Sequence, residues 1–399
     1  MSFLKYAGKR ALAFSGLLLM LAVMAAGCAP NPPAGGGSAP AISGGTIYIV
    51  SQRGELMAMK PETGERTWSA ALQQPAQRNL FGCAAAPSPA AVYGTPAVAG
   101  ELVYVGGYDG RLRVYNNGLE QARYPAEGAA PVGGIVGSPV LGRGNIYFGT
   151  SRGEVFALEA ATLARKWQAG IAGNGEVVAL DVTSARGWQS DGRSRVWATP
   201  VLADDTIYVA SMNGRLYALN ADTGAEKWRF ATGGAVTSPP VITGDTAYFG
   251  SFDRYFYAVN TSTGQQVWKS SIQAIRWFWS PPLIAGGAVY AGAMDGKVYV
   301  FDAATGANLA TRDLGAPLVV APVLSGDSVL FVTETGRLWA LDAASYQARE
   351  LQAAITGKVH APLTLDDTVL YIHTREPDSL YVVRATTGVN ILSIPLSSR

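Results

Sequence analysis

The chain offers few residues suited to catalysis or metal binding. Its histidines are His360 and His373, both near the C-terminus. An imidazole that serves as a zinc ligand needs Cys, His or carboxylate companions at ligand spacing, and neither histidine has such a set nearby. His360 stands just ahead of a proline that opens a strand, which suits a rim residue better than a catalyst. The acidic pairs Asp109-Gly110 and Asp295-Gly296 lack the alternating carboxylates of a calcium loop and read as hairpin turns. "GNGEVVA" at 173–179 has a glycine spacing reminiscent of a dinucleotide loop, but no strand–helix–strand unit surrounds it. No motif marks a carboxylate pair for glycoside cleavage. The expectation is therefore no catalytic residue, no metal site and no enzyme.

Cysteine chemistry is confined to Cys28 and Cys83. Lys5, Lys9 and Arg10 precede the apolar run "ALAFSGLLLMLAVMAAG", and the Pro/Gly-rich stretch "APNPPAGGGS" follows at once. That order describes an export signal rather than a membrane span. "AAGC" at 25–28 resembles a bacterial lipobox, with Ala25 where Leu is more usual. Residues 1–27 are expected to be a lipoprotein signal peptide, Cys28 to carry a palmitate-type acyl chain, and 28–38 to form a solvated tether. The product is then extracytoplasmic and lipid-anchored, on the periplasmic side of the outer membrane where a cell has one. Loss of the signal removes three basic residues and leaves a balance of about −1, which gives no reason to expect nucleic acid. Cys83 would be the remaining thiol, so core burial rather than a disulfide must hold the fold.

The elements that position these residues are repeats. A proline opens each unit at 40, 96, 139, 200, 239, 281, 322 and 362. The period is about 41 residues, with wider gaps after Pro40 and Pro139. The fourth unit contains four short apolar runs, "TPVLA", "TIYVAS", "RLYALN" and "EKWRF", which predict a four-stranded antiparallel meander. In the third run, alternation places Leu216 and Ala218 on one face, and Arg215, Tyr217 and Leu219 on the other. One such sheet buries too little apolar surface alone, whereas eight stacked radially bury both faces of each. The prediction is all-β: a single eight-bladed β-propeller of four-stranded antiparallel blades over 39–396. Side-by-side packing of the first and last blades closes it, with a strand exchange as the alternative.

Between the third and fourth runs stands "ALNADTGAEKW" at 218–228, echoed by "AVNTSTGQQVW" and "AMKPETGERTW". This repeat resembles the tryptophan-docking unit of PQQ-like propellers over essentially residues 39–396. The resemblance implies structural docking roles for Trp68, Trp167, Trp228 and Trp268. The motif is degraded at Asn117-Gly118 and at Ala310, Glu350 and Leu392, which stand at the tryptophan position. Within that family, an exported chain of eight units looks most like the scaffold lipoproteins of the outer-membrane β-barrel assembly machinery. That likeness implies a non-catalytic monomer within a protein complex. Quinoprotein dehydrogenases of the same fold place a vicinal Cys-Cys ring over the quinone and hold a calcium. This chain has no adjacent cysteines, so neither PQQ nor another cofactor is expected.

Interruptions of the repeat mark the candidate partner site. The connections from Gly64 to Pro96 and from Leu163 to Pro200 are the longest, and both run from an outer strand to the next inner strand. In a propeller that sets them on one face. They carry "SARGWQSDGRSRVW" at 184–197, with Arg186, Trp188, Arg193, Arg195 and Trp197. "IRWFWS" at 275–280 adds Arg276, Trp277, Phe278 and Trp279, and Arg254 replaces a turn glycine. Arg and aromatic residues are enriched at interface hot spots. Arg186, Trp188, Arg193, Arg195, Arg276, Trp277 and Phe278 are therefore expected to bind a protein partner. Trp197 and Trp279 read either as channel plugs or as displayed side chains. A ligand or carbohydrate sensor using the channel mouth is the alternative function, and a quinoprotein dehydrogenase the third.

Overall fold

The computed structural model describes residues 36–74, 88–180 and 194–397. Cys28, Cys83, Arg186, Trp188 and Arg193 lie outside them. The described residues form eight antiparallel sheets, spanning 41–71, 97–124, 140–179, 201–231, 241–269, 283–313, 323–350 and 358–395. Each is a blade of an eight-bladed propeller. In blade 4 the order is Val201–Ala203, Thr206–Ser211, Arg215–Asn220 and Glu226–Ala231, each strand paired with the next. The short first strands adjoin one another between most neighbouring blades, and that of blade 1 adjoins that of blade 8. Among the described residues no strand is exchanged, and the ring closes by packing of whole blades.

Alternation explains the core. Leu216 and Ala218 pack in the cluster shared with blade 5, and Tyr217 and Leu219 in the cluster shared with blade 3. Every central strand thus buries both faces, which is why the second and third runs are apolar almost throughout.

Two blades depart from the predicted four strands. In blade 3 the long connection returns as Val177–Ala179 and pairs with Arg165–Ile171, covering an outer edge that would otherwise expose unpaired backbone. In blade 8, Lys358–Val359 adds a short strand alongside Val369–Arg375.

The seam between blades 8 and 1 is tied by side chains. Thr364 Oγ1 donates to the Pro40 carbonyl at 2.6 Å, and Arg66 donates to the Leu396 carbonyl at 2.9 Å. His373, 1% exposed, places Nδ1 2.6 Å from the Ser38 carbonyl and Nε2 2.8 Å from Asp378 Oδ1. His373 thus ties the N-terminal segment to blade 8.

Candidate interaction face

The tryptophans come first, because they fix the blades on which the face is built. Trp167, Trp228 and Trp268 are nearly buried and donate their indole N–H to the carbonyls of Ala221, Thr261 and Ala303 in the following blade. Each ring lies over that blade's corner glycine: a side-chain carbon added at Gly224 would sit 2.6 Å from the Trp167 ring, and one at Gly306 2.6 Å from Trp268. Trp68 packs less closely, with Gly118 at 3.3 Å. On its other side each tryptophan meets a tyrosine of its own blade, such as Tyr208 beside Trp228 at 5.8 Å between centroids.

Where the tryptophan is missing, volume is exchanged across the interface. Strand register puts Ala122 and Ala310 at its position. The next corners then carry Leu163 and Tyr346 instead of glycine, and both pack into the core. In blade 7 the register puts Arg349 opposite Ala340, so the tryptophan-equivalent residue is Arg349 and not Glu350.

The outer-to-inner connections and the turns between second and third strands share one face and are clamped together. The Met212 amide donates to the Arg195 carbonyl at 3.0 Å, Met294 to Trp277 at 3.0 Å, and Tyr108 to Ala91 at 2.8 Å. After this clamp each connection inserts one apolar side chain into the core. Val92, Val196, Phe278 and Val359 occupy this place and are at most 1% exposed. Phe278 is therefore a core residue, a correction to its expected place in a partner site. Its ring packs against Phe256 and Tyr299.

The next residue in each connection lies at the rim of the central channel, directly before the inner strands. Tyr93, Trp197, Trp279 and His360 take this place in blades 2, 4, 6 and 8. Gly37, Val136, Thr237 and Val319 alternate with them. Tyr93 and Trp279 are each 38% exposed. Trp197 is half-buried beneath the Arg195 guanidinium, 6.0 Å from its ring centroid. His360 Nε2 lies 3.3 Å from Glu334 Oε1. Burial pushes the His360 ring down from its ordinary value, against the opposing charge of Glu334. Only alignment of all eight strand starts would have exposed this alternation in the sequence.

Arg195 is exposed and edges a cavity of about 470 Å³ around the blade 4 turn and its flanking connections, together with Met212, Asn213, Arg215, Thr232 and Gly234. Arg276 is exposed, Trp277 half-buried, and Phe252 lies between Trp277 and Trp279 at 5.4 and 5.6 Å. Phe252 was not foreseen, since its turn reads only as a hairpin.

The opposite face is acidic. Its inner turns carry Asp204-Asp205, Asp245, Asp327 and Asp366-Asp367, and its corners Asp222, Asp302 and Asp342. Asp302 accepts from the Thr305 hydroxyl at 2.7 Å and amide at 2.8 Å, and these bonds hold its carboxyl below the usual carboxylate range.

The donor set does not fit a quinone–calcium centre. The sequence has no adjacent cysteines. Among the described residues no three His, Cys, Asp or Glu converge on a metal position.

Comparison with known proteins agrees with this architecture. The family profile described as outer membrane protein assembly factor BamB matches residues 25–175 and 173–394. The crystal structure of BamB from Moraxella catarrhalis superposes with a TM-score of 0.64 at 17% identity, covering 84% of this chain and 92% of that one. The computationally designed Ika8 protein superposes with a TM-score of 0.66 at 16% identity, covering 88% and 97%. At these identities the likeness is one of fold. No curated protein matches the chain in sequence. With the family profile spanning nearly the whole propeller, the chain belongs to the BamB family of PQQ-like β-propellers.

Proposed function

We propose that the protein is a non-catalytic, membrane-anchored scaffold that docks a protein partner through the face bearing the long connections, in outer-membrane protein assembly. The observation that carries this reading is the asymmetry of the two faces. One has short acidic turns; the other has long connections clamped by backbone hydrogen bonds and presenting Arg195, Arg276, Trp277 and Trp279. Loops held on a rigid scaffold are the usual carriers of recognition. Arg186, Trp188 and Arg193 belong to the same connection as Arg195 and complete the proposed surface. The chain enters the propeller at this face too: the Gly37 amide donates to the Val92 carbonyl at 2.7 Å. A lipid on Cys28 would hold this face toward the membrane. The chain acts without PQQ or another cofactor in this reading.

The test is copurification from solubilised membranes. The wild type should recover a protein partner, and Trp188→Ala with Arg195→Glu should lose it while the unfolding midpoint stays unchanged. Recovery of no partner would sink the scaffold reading. The exposed aromatic rim favours one second reading, a neutral glycan stacked at the channel mouth. It requires saturable oligosaccharide binding that Trp279→Ala abolishes.

A further inference from the structure

The turn between the second and third strands ends on glycine in six blades. Gly54, Gly110, Gly153, Gly214, Gly296 and Gly336 all have φ between +69° and +88°. Blade 5 places Arg254 there, at φ +74°. A residue with a Cβ in this region costs about 1–2 kcal/mol. Leu163 and Tyr346 offset that cost by packing in the core, whereas Asn117, Arg143, Asp204, Asp367 and Glu376 also adopt positive φ at exposed turns. Arg254 is exposed and, among the described residues, its guanidinium has no ion pair or hydrogen bond.

Its surroundings are equally uncompensated. Ile275 is 63% exposed, and the Trp277 indole N–H, like those of Trp197 and Trp339, is buried without a hydrogen-bond partner. Such an orphaned donor is costly and rare in folded proteins. Arg276 is exposed and likewise unpaired among the described residues. Nearby carboxylates do not answer these cations. Asp253 accepts from the amides of Gly233 and Tyr255 and from the Tyr257 hydroxyl. Asp295 accepts from the amides of Ile275 and Lys297 and from the Tyr299 hydroxyl. Backbone strain, an orphaned donor, two free cations and an exposed aliphatic side chain coincide at one place on the rim.

We infer that the rim between blades 5 and 6 binds an acidic polypeptide segment bearing an aromatic or large aliphatic side chain. Arg254 and Arg276 pair with its carboxylates, and its apolar side chain packs on Ile275, Trp277, Phe252 and Trp279. This rests on the scaffold reading and names the chemistry of one partner segment.

The test selects a display library of random twelve-residue peptides on the full-length protein. Selected peptides should be rich in Asp and Glu beside Phe, Trp or Leu. Their affinity should fall at least tenfold in Arg254→Gly, in Arg276→Ser and in high salt. Arg254→Gly restores the repeat's own glycine, so its unfolding midpoint should rise by about 1–3 °C. Selection of neutral or basic peptides, undiminished binding to Arg254→Gly, or a lowered midpoint in that variant would each overturn the inference. Loss of partner copurification in Trp188→Ala with Arg195→Glu would stand regardless, so the two readings fail separately.

Discussion

Trp228 donates to the Thr261 carbonyl at 2.7 Å and lies against Gly264 of the next blade, where an added carbon would sit 2.7 Å from the ring. Its burial and hydrogen bond are both structural. Trp228→Ala should lower stability by about 3–5 kcal/mol in denaturant titration and leave partner recovery intact in the molecules that remain folded. The tryptophan–glycine pairing makes a sharper prediction. Gly224→Leu should destabilise strongly, because the new side chain collides with Trp167 and the backbone sits at φ +73°. Trp167→Ala in the same chain should recover part of that loss, reproducing the native Ala122–Leu163 arrangement; strictly additive losses would refute the exchange of volume. Asp378 governs a pH effect. Burial alone would raise its carboxyl, but hydrogen bonds from His373 and Ser397 hold it below its ordinary value. The folded state then binds fewer protons than the unfolded one. The contribution is complete above pH about 4 and is lost as pH falls through the depressed value. Asp378→Asn should flatten the acid limb of the stability profile and cost about 1–3 kcal/mol at neutral pH.

At the scale of elements, the connections proposed to bind a partner are clamped by turns. Replacing residues 181–193 by an equal length of Gly and Ser should leave the unfolding midpoint within about a degree, since Arg195 and Val196 keep their backbone bonds to blades 3 and 4. Partner recovery should be lost; a large fall in midpoint would show the segment to be structural instead. The strands were legible from period-two alternation and turn residues, and the docking tryptophans from their repeat. Phe278 was misjudged because its neighbours Trp277 and Trp279 suggested a displayed cluster. The signal against it was positional: it occupies the place of Val196 and Val359, which are fully buried. The fifth strand at Val177–Ala179 was hidden because three residues within a long connection pair only after blade 3 exists. The exchange of Trp–Gly for Ala–Leu or Ala–Tyr depends on register between blades, which one repeat read alone does not contain.

At the scale of the whole molecule, eight contiguous blades close by contact, and the first described residues serve as the latch. Deleting residues 36–40 removes the Ser38 carbonyl from His373 and the Pro40 carbonyl from Thr364, so this truncation should lower the midpoint. Truncation only to residue 35 should not. Closure leaves two faces of unlike character, one acidic and short-turned, the other built of clamped connections. Site-specific photo-crosslinking in membranes tests this account most directly. A crosslinking residue is placed at Arg195 or Arg276 on one face and at Asp222 or Asp302 on the other. The account predicts covalent capture of a protein partner from the first pair and none from the second. Equal capture from Asp222 and Asp302, or none from any position, would contradict it.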